Sequence, residues 1–404
     1  MPEKRLKKLP RIARRGRTVI SWDSFFGGIR ELSGPGRNLQ IDFFRGLALI
    51  SIFVDHIPNN PLSHLTIRNL AFSDAAEVFV FLSGFTAAKV FGRSMAFNPV
   101  FGAAQVLQRC WTLYIAHIFL FVLFIAQVSW TAETFQNPMF AEEMGMANVL
   151  QEPHVALLHS LSLRFQPTFL DILPLYILLL LAFIPIFPLL RSLPVVCIAG
   201  SALLWLVVQR TGLSLSAYPD GVWYFNPYAW QFIFVIGMAL GWEQPWHRFL
   251  WKRWLIALSV LIFVAGIALR IAIHIAASRD SVPPGLAAVL WPMTSKTDLG
   301  LIRLINFLAL AHVVAVIARR LPQPSSPVLM RLVYCGQHSL YVFCLGIFLS
   351  FASHFIFIQY DETLFTIIWV NLAGIGLMVG LAEGMHWFSE RKRAGRSMSM
   401  RAAE

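Results

Sequence analysis

The sequence predicts an all-α integral membrane protein, a bundle of about ten transmembrane helices with both termini in the cytoplasm. Three observations lead there. Apolar residues make up 57% of the 404 and charged residues 13%, half of the roughly 25% that covers a soluble domain. Ten apolar stretches reach or approach the roughly 20 residues that cross a bilayer. Lys and Arg gather at alternate ends of those stretches, as cytoplasmic retention of basic loops requires.

In order, the expected spans are 39–57, 75–91, 111–130, 169–190, 194–208, 229–242, 254–276, 299–318, 332–351 and 365–386. Ends expected in the cytoplasm carry Arg93 and Arg109, Arg191, Arg248 and Lys252, Arg319 and Arg320, and Arg391 and Lys392. The opposite ends carry most of the acids, among them Glu133, Glu142, Glu143, Glu152 and Asp220. A missed span would invert this alternation downstream. The chain therefore divides into a basic cytoplasmic tail (1–38), a membrane domain (39–386) and a second basic tail (387–404). No apolar segment of signal-peptide type follows the basic residues at 4–17, so the first span is expected to act as an uncleaved anchor. In the first tail, Trp22, Phe25, Phe26 and Ile29 recur at helical spacing, which suggests a helix lying on the membrane surface. The longest connection, 131–168, is expected outside, either as a plain loop or dipping back into the membrane face.

A formal charge of +12 would suit nucleic acid if it were concentrated on one groove. Its spread over tails and alternate loops marks lipid as the partner and gives no case for nucleic acid. Cys110, Cys197, Cys335 and Cys344 lie in or beside apolar spans with no Cys-x-x-Cys pattern, and read as small apolar residues. His154 and His159 lack a third ligand nearby, so no metal is expected.

Ionisable residues within membrane spans are expensive and mark function by default. They concentrate in the first two spans. Arg45 and His56 are eleven residues apart, about 20° apart around a helix and about 16.5 Å apart along it. Arg45 either faces a ligand or snorkels to lipid phosphates. Asp55 points to another side of the same helix end. Asp74 and Glu77, three residues apart, share a face of the second span and return to the level of His56. A carboxylate beside a histidine fixes its tautomer and raises its basicity, as a general base needs. Ser83–Gly84 permits either close helix approach or a polar contact.

The stretches LQIDFFRGLALISIFVDHIPNNPLS, FSDAAEVFVFLSGFTAAKVFGR, FQPTFLDILPLYI, WYFNPYAWQFIFVIGM and CGQHSLYVF, in this order, resemble the OpgC family within the acyltransferase-3 superfamily of membrane acyltransferases. The resemblance implies a multi-pass enzyme of the bacterial inner membrane. Such an enzyme moves an acyl group, typically succinyl, from a cytoplasmic acyl-CoA co-substrate to hydroxyls of an osmoregulated periplasmic glucan. Carried onto this chain, it implies His56 as the catalytic base, Arg45 on the acyl-CoA path, and Asp55, Asp74 and Glu77 orienting the site. Direct transfer and an acyl-His56 intermediate are both compatible with it.

Further candidates for substrate contact lie at the same level. Asp171 either lines an acceptor site or marks the interface. Trp223, Tyr224, Phe225, Tyr228 and Trp230 around Asn226 form either an interfacial belt or a sugar-stacking platform, with Trp223 and Asn226 as contacts. Lys296 and Arg303, seven residues apart, would share a helix face and could hold a donor carboxylate; Asp298 offers Lys296 a simpler structural partner. Two rival readings are an O-acetyltransferase of another envelope polysaccharide and a proton-coupled transporter. The transporter lacks support from any inverted repeat or paired broken helices in the sequence.

Overall fold

A computed structural model describes residues 38–401 except 70, 147, 148, 150, 243, 244, 280, 281 and 361, with backbone alone at 69, 245–247, 393 and 396–401. The expected surface helix around Trp22–Ile29, and with it the first tail, lies outside the described residues.

Fourteen α-helices and no strand occur among the described residues. They are α1 (Leu39–Asp55), α2 (Ala75–Phe97), α3 (Pro99–Thr134), α4 (Met139–Glu143), α5 (Pro153–Leu161), α6 (Ile172–Ser192) and α7 (Pro194–Thr211). There follow α8 (Pro227–Gly241), α9 (Arg253–Ser278), α10 (Pro284–Thr294), α11 (Leu301–Arg320), α12 (Pro327–Gln337), α13 (Ser339–Gln359) and α14 (Leu364–Arg401). Eight of these, α2, α3, α6, α7, α9, α11, α13 and α14, are long and apolar enough to cross a membrane. The protein is an all-α, multi-pass membrane protein.

The expected span boundaries need correcting in four places. The first and sixth spans are short helices of 17 and 15 residues; at 1.5 Å per residue neither reaches the roughly 30 Å hydrocarbon thickness. The ninth is broken at His338, where ψ of 33° separates α12 from α13. The fourth begins at Ile172, because Phe169 sits in a turn with φ of 75°. The connection 131–168 is no plain loop: it carries α4 and α5 and buries Phe140, Met144, Met146 and Ala156 against the bundle.

Glycine decides how the inner helices meet. A Cβ on Gly46 of α1 would strike the Leu332 carbonyl of α12, and one on Gly336 of α12 would strike the Asp42 carbonyl of α1. The same exclusion operates between α2 and α8, where Gly84 faces the Phe234 backbone and Gly237 the Phe81 backbone. With no side chain between them, these helix pairs come into backbone contact, the small-residue packing by which membrane helices associate without a hydrophobic drive. Of the two alternatives at Ser83–Gly84, Gly84 takes close approach. α8 is thereby held at the centre, eleven of its fifteen residues buried. α9 is its opposite: it buries Ser259 and Gly266 and turns large apolar residues such as Leu261 and Val264 outward, as a lipid-facing helix does.

Candidate active site

α1 ends at His56, whose backbone N–H closes the helix on Ile52 and Phe53. The imidazole Nδ1 lies 2.6 Å from the Ile52 carbonyl oxygen. A carbonyl only accepts, so Nδ1 carries the proton and Nε2 keeps its lone pair. The tautomer is therefore set by the helix's own backbone, and not by a carboxylate as the sequence suggested. Phe169 packs its ring edge-on against the imidazole at 4.9 Å between centroids.

Around His56 lies a cavity of about 390 Å³ lined by Asp55, Arg68, Asp74, Gln166, Phe169, Asp171, Tyr224, Phe225 and Lys296, among others. Three carboxylates, an amide and four aromatic rings, Phe343 among them, offer acceptors and faces suited to a sugar. Asp55 is held by the Thr66 hydroxyl at 2.6 Å, and Arg68 donates to the Asp55 carbonyl oxygen at 3.1 Å. Asp171 stands at the N-terminus of α6 without a capping bond to its side chain.

Asp74 and Glu77 start α2 as a capping box: Asp74 accepts from the Ala76 N–H at 2.6 Å, and Glu77 accepts from the Asp74 N–H at 2.8 Å. Each carboxylate also binds a cation, Asp74 to Lys296 and Glu77 to Arg303, both at 2.5 Å. The two pairs divide the cluster. Asp74 and Lys296 line the cavity, whereas Glu77, with its side chain 0% exposed, and Arg303 stand behind it. Burial disfavours the Lys296 ammonium, but Asp74, together with Tyr224 and Glu77, outweighs that and holds its pKa above the usual lysine value.

Lys296 is not on a helix face shared with Arg303. It lies in the loop between α10 and α11, where seven-residue spacing carries no angular meaning. The aromatic segment before α8 explains its position. Trp230 donates to the Lys296 and Thr297 carbonyls at 3.1 Å, and Asn226 donates to Asp298 Oδ1 at 2.8 Å. Asp298 is thus Asn226's partner, not that of Lys296. Asn226 is fully buried and caps α8, and Trp223 is 3% exposed and outside the cavity lining. The rings that do line it are Tyr224 and Phe225, with the Lys296 ammonium 5.9 and 5.5 Å from their centroids.

Near the other end of α1 a second cavity, of about 150 Å³, is lined by Arg45, Ser83, Thr86, Arg109, Tyr176, Ser339 and Phe343, among others. Arg45 donates to the Thr86 hydroxyl at 2.7 Å. Two guanidinium groups and four hydroxyls line it, with Asp42, outside the lining, 4.0 Å from Arg45, so the cavity offers donors suited to an anion. The sequence had placed Arg109 only as a charge retained in the cytoplasm. Its position on the buried side of Cys110 and Leu113 in α3 could have signalled more.

A family model described as OpgC protein matches residues 37–390. The chain belongs to the OpgC family. It is accordingly a membrane acyltransferase of the glucan-modifying kind. No curated protein and no solved structure matched the chain. In this OpgC protein no group of three or more His, Cys, Asp or Glu suited to a metal ion occurs among the described residues.

Proposed function

We propose that this OpgC-family protein sits in the bacterial inner membrane with both termini cytoplasmic and transfers succinyl groups from cytoplasmic succinyl-CoA to hydroxyls of a periplasmic glucan. The observation that carries this reading is the pair of unlike cavities on α1. The arginine cavity suits the phosphates of a CoA donor; the histidine cavity suits a sugar. A transporter would need neither a lone-pair nitrogen held in one tautomer nor a separate anion site.

In the proposed step, Nε2 of His56 takes the proton from a glucan hydroxyl as that oxygen bonds to the thioester carbonyl carbon. The tetrahedral intermediate collapses with cleavage of the C–S bond, and the departing thiolate receives the proton from the imidazolium. An acyl-His56 route would use the same nitrogen as nucleophile. Asp55, Asp74 and Asp171 hold the sugar hydroxyls. Lys296, paired with Asp74 and set beside the Tyr224 and Phe225 rings, meets the distal carboxylate of the succinyl group. Glu77 and Arg303 position Asp74 and Lys296 from behind.

The test compares the mass and charge of periplasmic glucans from cells with the wild-type gene, without it, and with His56→Ala. Succinylation adds one negative charge per transfer, and His56→Ala is expected to reduce transfer by about 10²-fold or more. Retention of more than about a tenth of the activity would remove His56 from the base role. Acetyl increments without a charge change would replace succinyl-CoA by the O-acetylation alternative.

A further inference from the structure

The two cavities stop within one helical turn of each other on three of the walls they share, α2, α6 and α13, while on α1 Arg45 and Ile52 stand about two turns apart. On α2, Asp74, Ala75 and Ala76 line the histidine cavity, and Phe79, Ser83 and Thr86 the arginine cavity. On α6 the handover falls between Ile172 and Leu173. On α13, Phe343 lines both. On the side of α2, α6 and α13 the barrier between them is therefore about one side chain thick, since one turn rises only about 5.4 Å.

Phe343 is 4% exposed and stacks on Phe79 at 6.4 Å between centroids, and Phe79 in turn meets Tyr176 edge-on at 5.8 Å. All three are aromatic and none is bonded covalently or by charge to its neighbour. A ring pair of this kind excludes water but yields to a rotamer change. The break at His338 starts α13 anew at Ser339, so Phe343 lies one turn from the end of its helix. The arginine cavity, at about 150 Å³, is smaller than the roughly 300–1,000 Å³ that takes a whole small molecule. It has room only for the slender end of a donor, and Phe343 is part of its wall.

We propose that Phe343 is the movable partition between donor and acceptor cavities, closed against water when the site is empty and displaced when the acyl arm passes from Arg45 toward His56. The inference rests on the acyl-transfer reading above. A through-passage left open would expose the thioester to hydrolysis and the membrane to leakage, so the partition positions the acyl group and does no chemistry.

The experiment reads access and transfer separately, on the full-length protein. In a background with the four native cysteines replaced, Ser83→Cys reports on the arginine cavity. An impermeant thiol reagent is applied from the side on which a cysteine at Leu65 reacts. Labelling of Ser83→Cys is expected to be slow with Phe343 intact and about tenfold faster or more in Phe343→Ala, because the aromatic layer is then open. Phe343→Trp, which thickens the layer without opening it, is expected to lower succinyl transfer about tenfold or more with little change in the KM for succinyl-CoA. The ratio of succinyl-CoA hydrolysis to transfer should rise several-fold in Phe343→Ala and not in Phe343→Trp. Equal labelling of Ser83→Cys with phenylalanine or alanine at 343 overturns the partition. So does a Phe343→Trp variant that transfers as fast as wild type. If wild-type protein transfers no acyl group at all, the functional reading fails, while the labelling comparison still decides whether Phe343 closes the passage.

Discussion

Phe169 occupies the third position of the turn closed by the Leu170 N–H on the Pro167 carbonyl at 2.9 Å, with φ of 75°. Glycine is the residue that such a position favours, and a bulky side chain there costs on the order of 1–3 kcal/mol. The strain has an outcome: it aims the ring at His56. The charged residues show the same local control. Arg303 cannot be removed without leaving Glu77 buried and unpaired, a cost of about 3–5 kcal/mol, so its loss would damage the site whatever it does for substrate. Arg109 offers a cleaner test. Arg45→Ala and Arg109→Ala are each expected to raise the KM for acyl-CoA roughly ten- to hundredfold, the worth of about 1.5–3 kcal/mol for a charged hydrogen bond. The KM for glucan should stay within about twofold, because neither arginine lines the histidine cavity. Lysine at either position should restore the affinity only in part, since a point charge replaces a planar fork. An unchanged acyl-CoA KM in both alanine variants would assign the arginines to lipid.

Among the elements, the two glycine crossings set the geometry on which both cavities depend. α1 carries Arg45 and His56, and α12 runs against it at Gly46 and Gly336. The obstacle to a side chain there is backbone, which cannot swing aside. Gly336→Val should push α12 from α1 and cost about 1–3 kcal/mol or more, read as a lower unfolding midpoint in detergent. Gly380→Ala in α14, where a Cβ meets nothing within 4 Å, is the control and should be neutral or slightly stabilising through helix propensity. Equal midpoints for the two variants would mean that the crossing does not limit stability. The connection between α3 and α6 is likewise an element and not a spacer. Phe140 packs on Phe351 and Phe355, and Glu143 holds His354 of α13 at 2.8 Å. That contact ties the connection to the helix that carries Phe343.

For the whole molecule, the exposed surface of the long helices is apolar: Trp111, Phe119, Leu203, Leu261 and Trp369 all face outward. Only lipid satisfies such a surface at this scale. The expected orientation puts the hairpin after α1 outside and the connection between α11 and α12 inside. Asn60, an obvious choice for a labelling site, is 4% exposed and paired with Asn371 at 2.9 Å. Leu65, 84% exposed, and Ser325, also exposed, are the better pair. In intact cells an impermeant thiol reagent should label Leu65→Cys and leave Ser325→Cys unlabelled until the membrane is opened. Labelling in the reverse order would invert the topology and with it the assignment of donor and acceptor sides.

The amino-acid sequence by itself determined the class of protein and the eight long helices among its ten expected spans. Each of these follows from composition or from a period of 3.6 residues, which a single segment carries within itself. It also brought Asp55, Asp74, Asp171 and Lys296 forward, because an ionisable residue near a membrane span stands out against its neighbours. What only the tertiary structure decided was which of these groups face one another. Lys296 reaches Asp74 because Trp230 and Asn226 pin the loop between α10 and α11, and no spacing in the chain encodes that bond. Trp223 gave way to Tyr224 and Phe225 because which ring of an aromatic run turns inward depends on the helices packed against it. Arg109 and Phe343 stayed silent in the sequence for the same reason: an arginine beside a cytoplasmic loop and a phenylalanine in an apolar helix look ordinary until two cavities, built from separate helices, end on them.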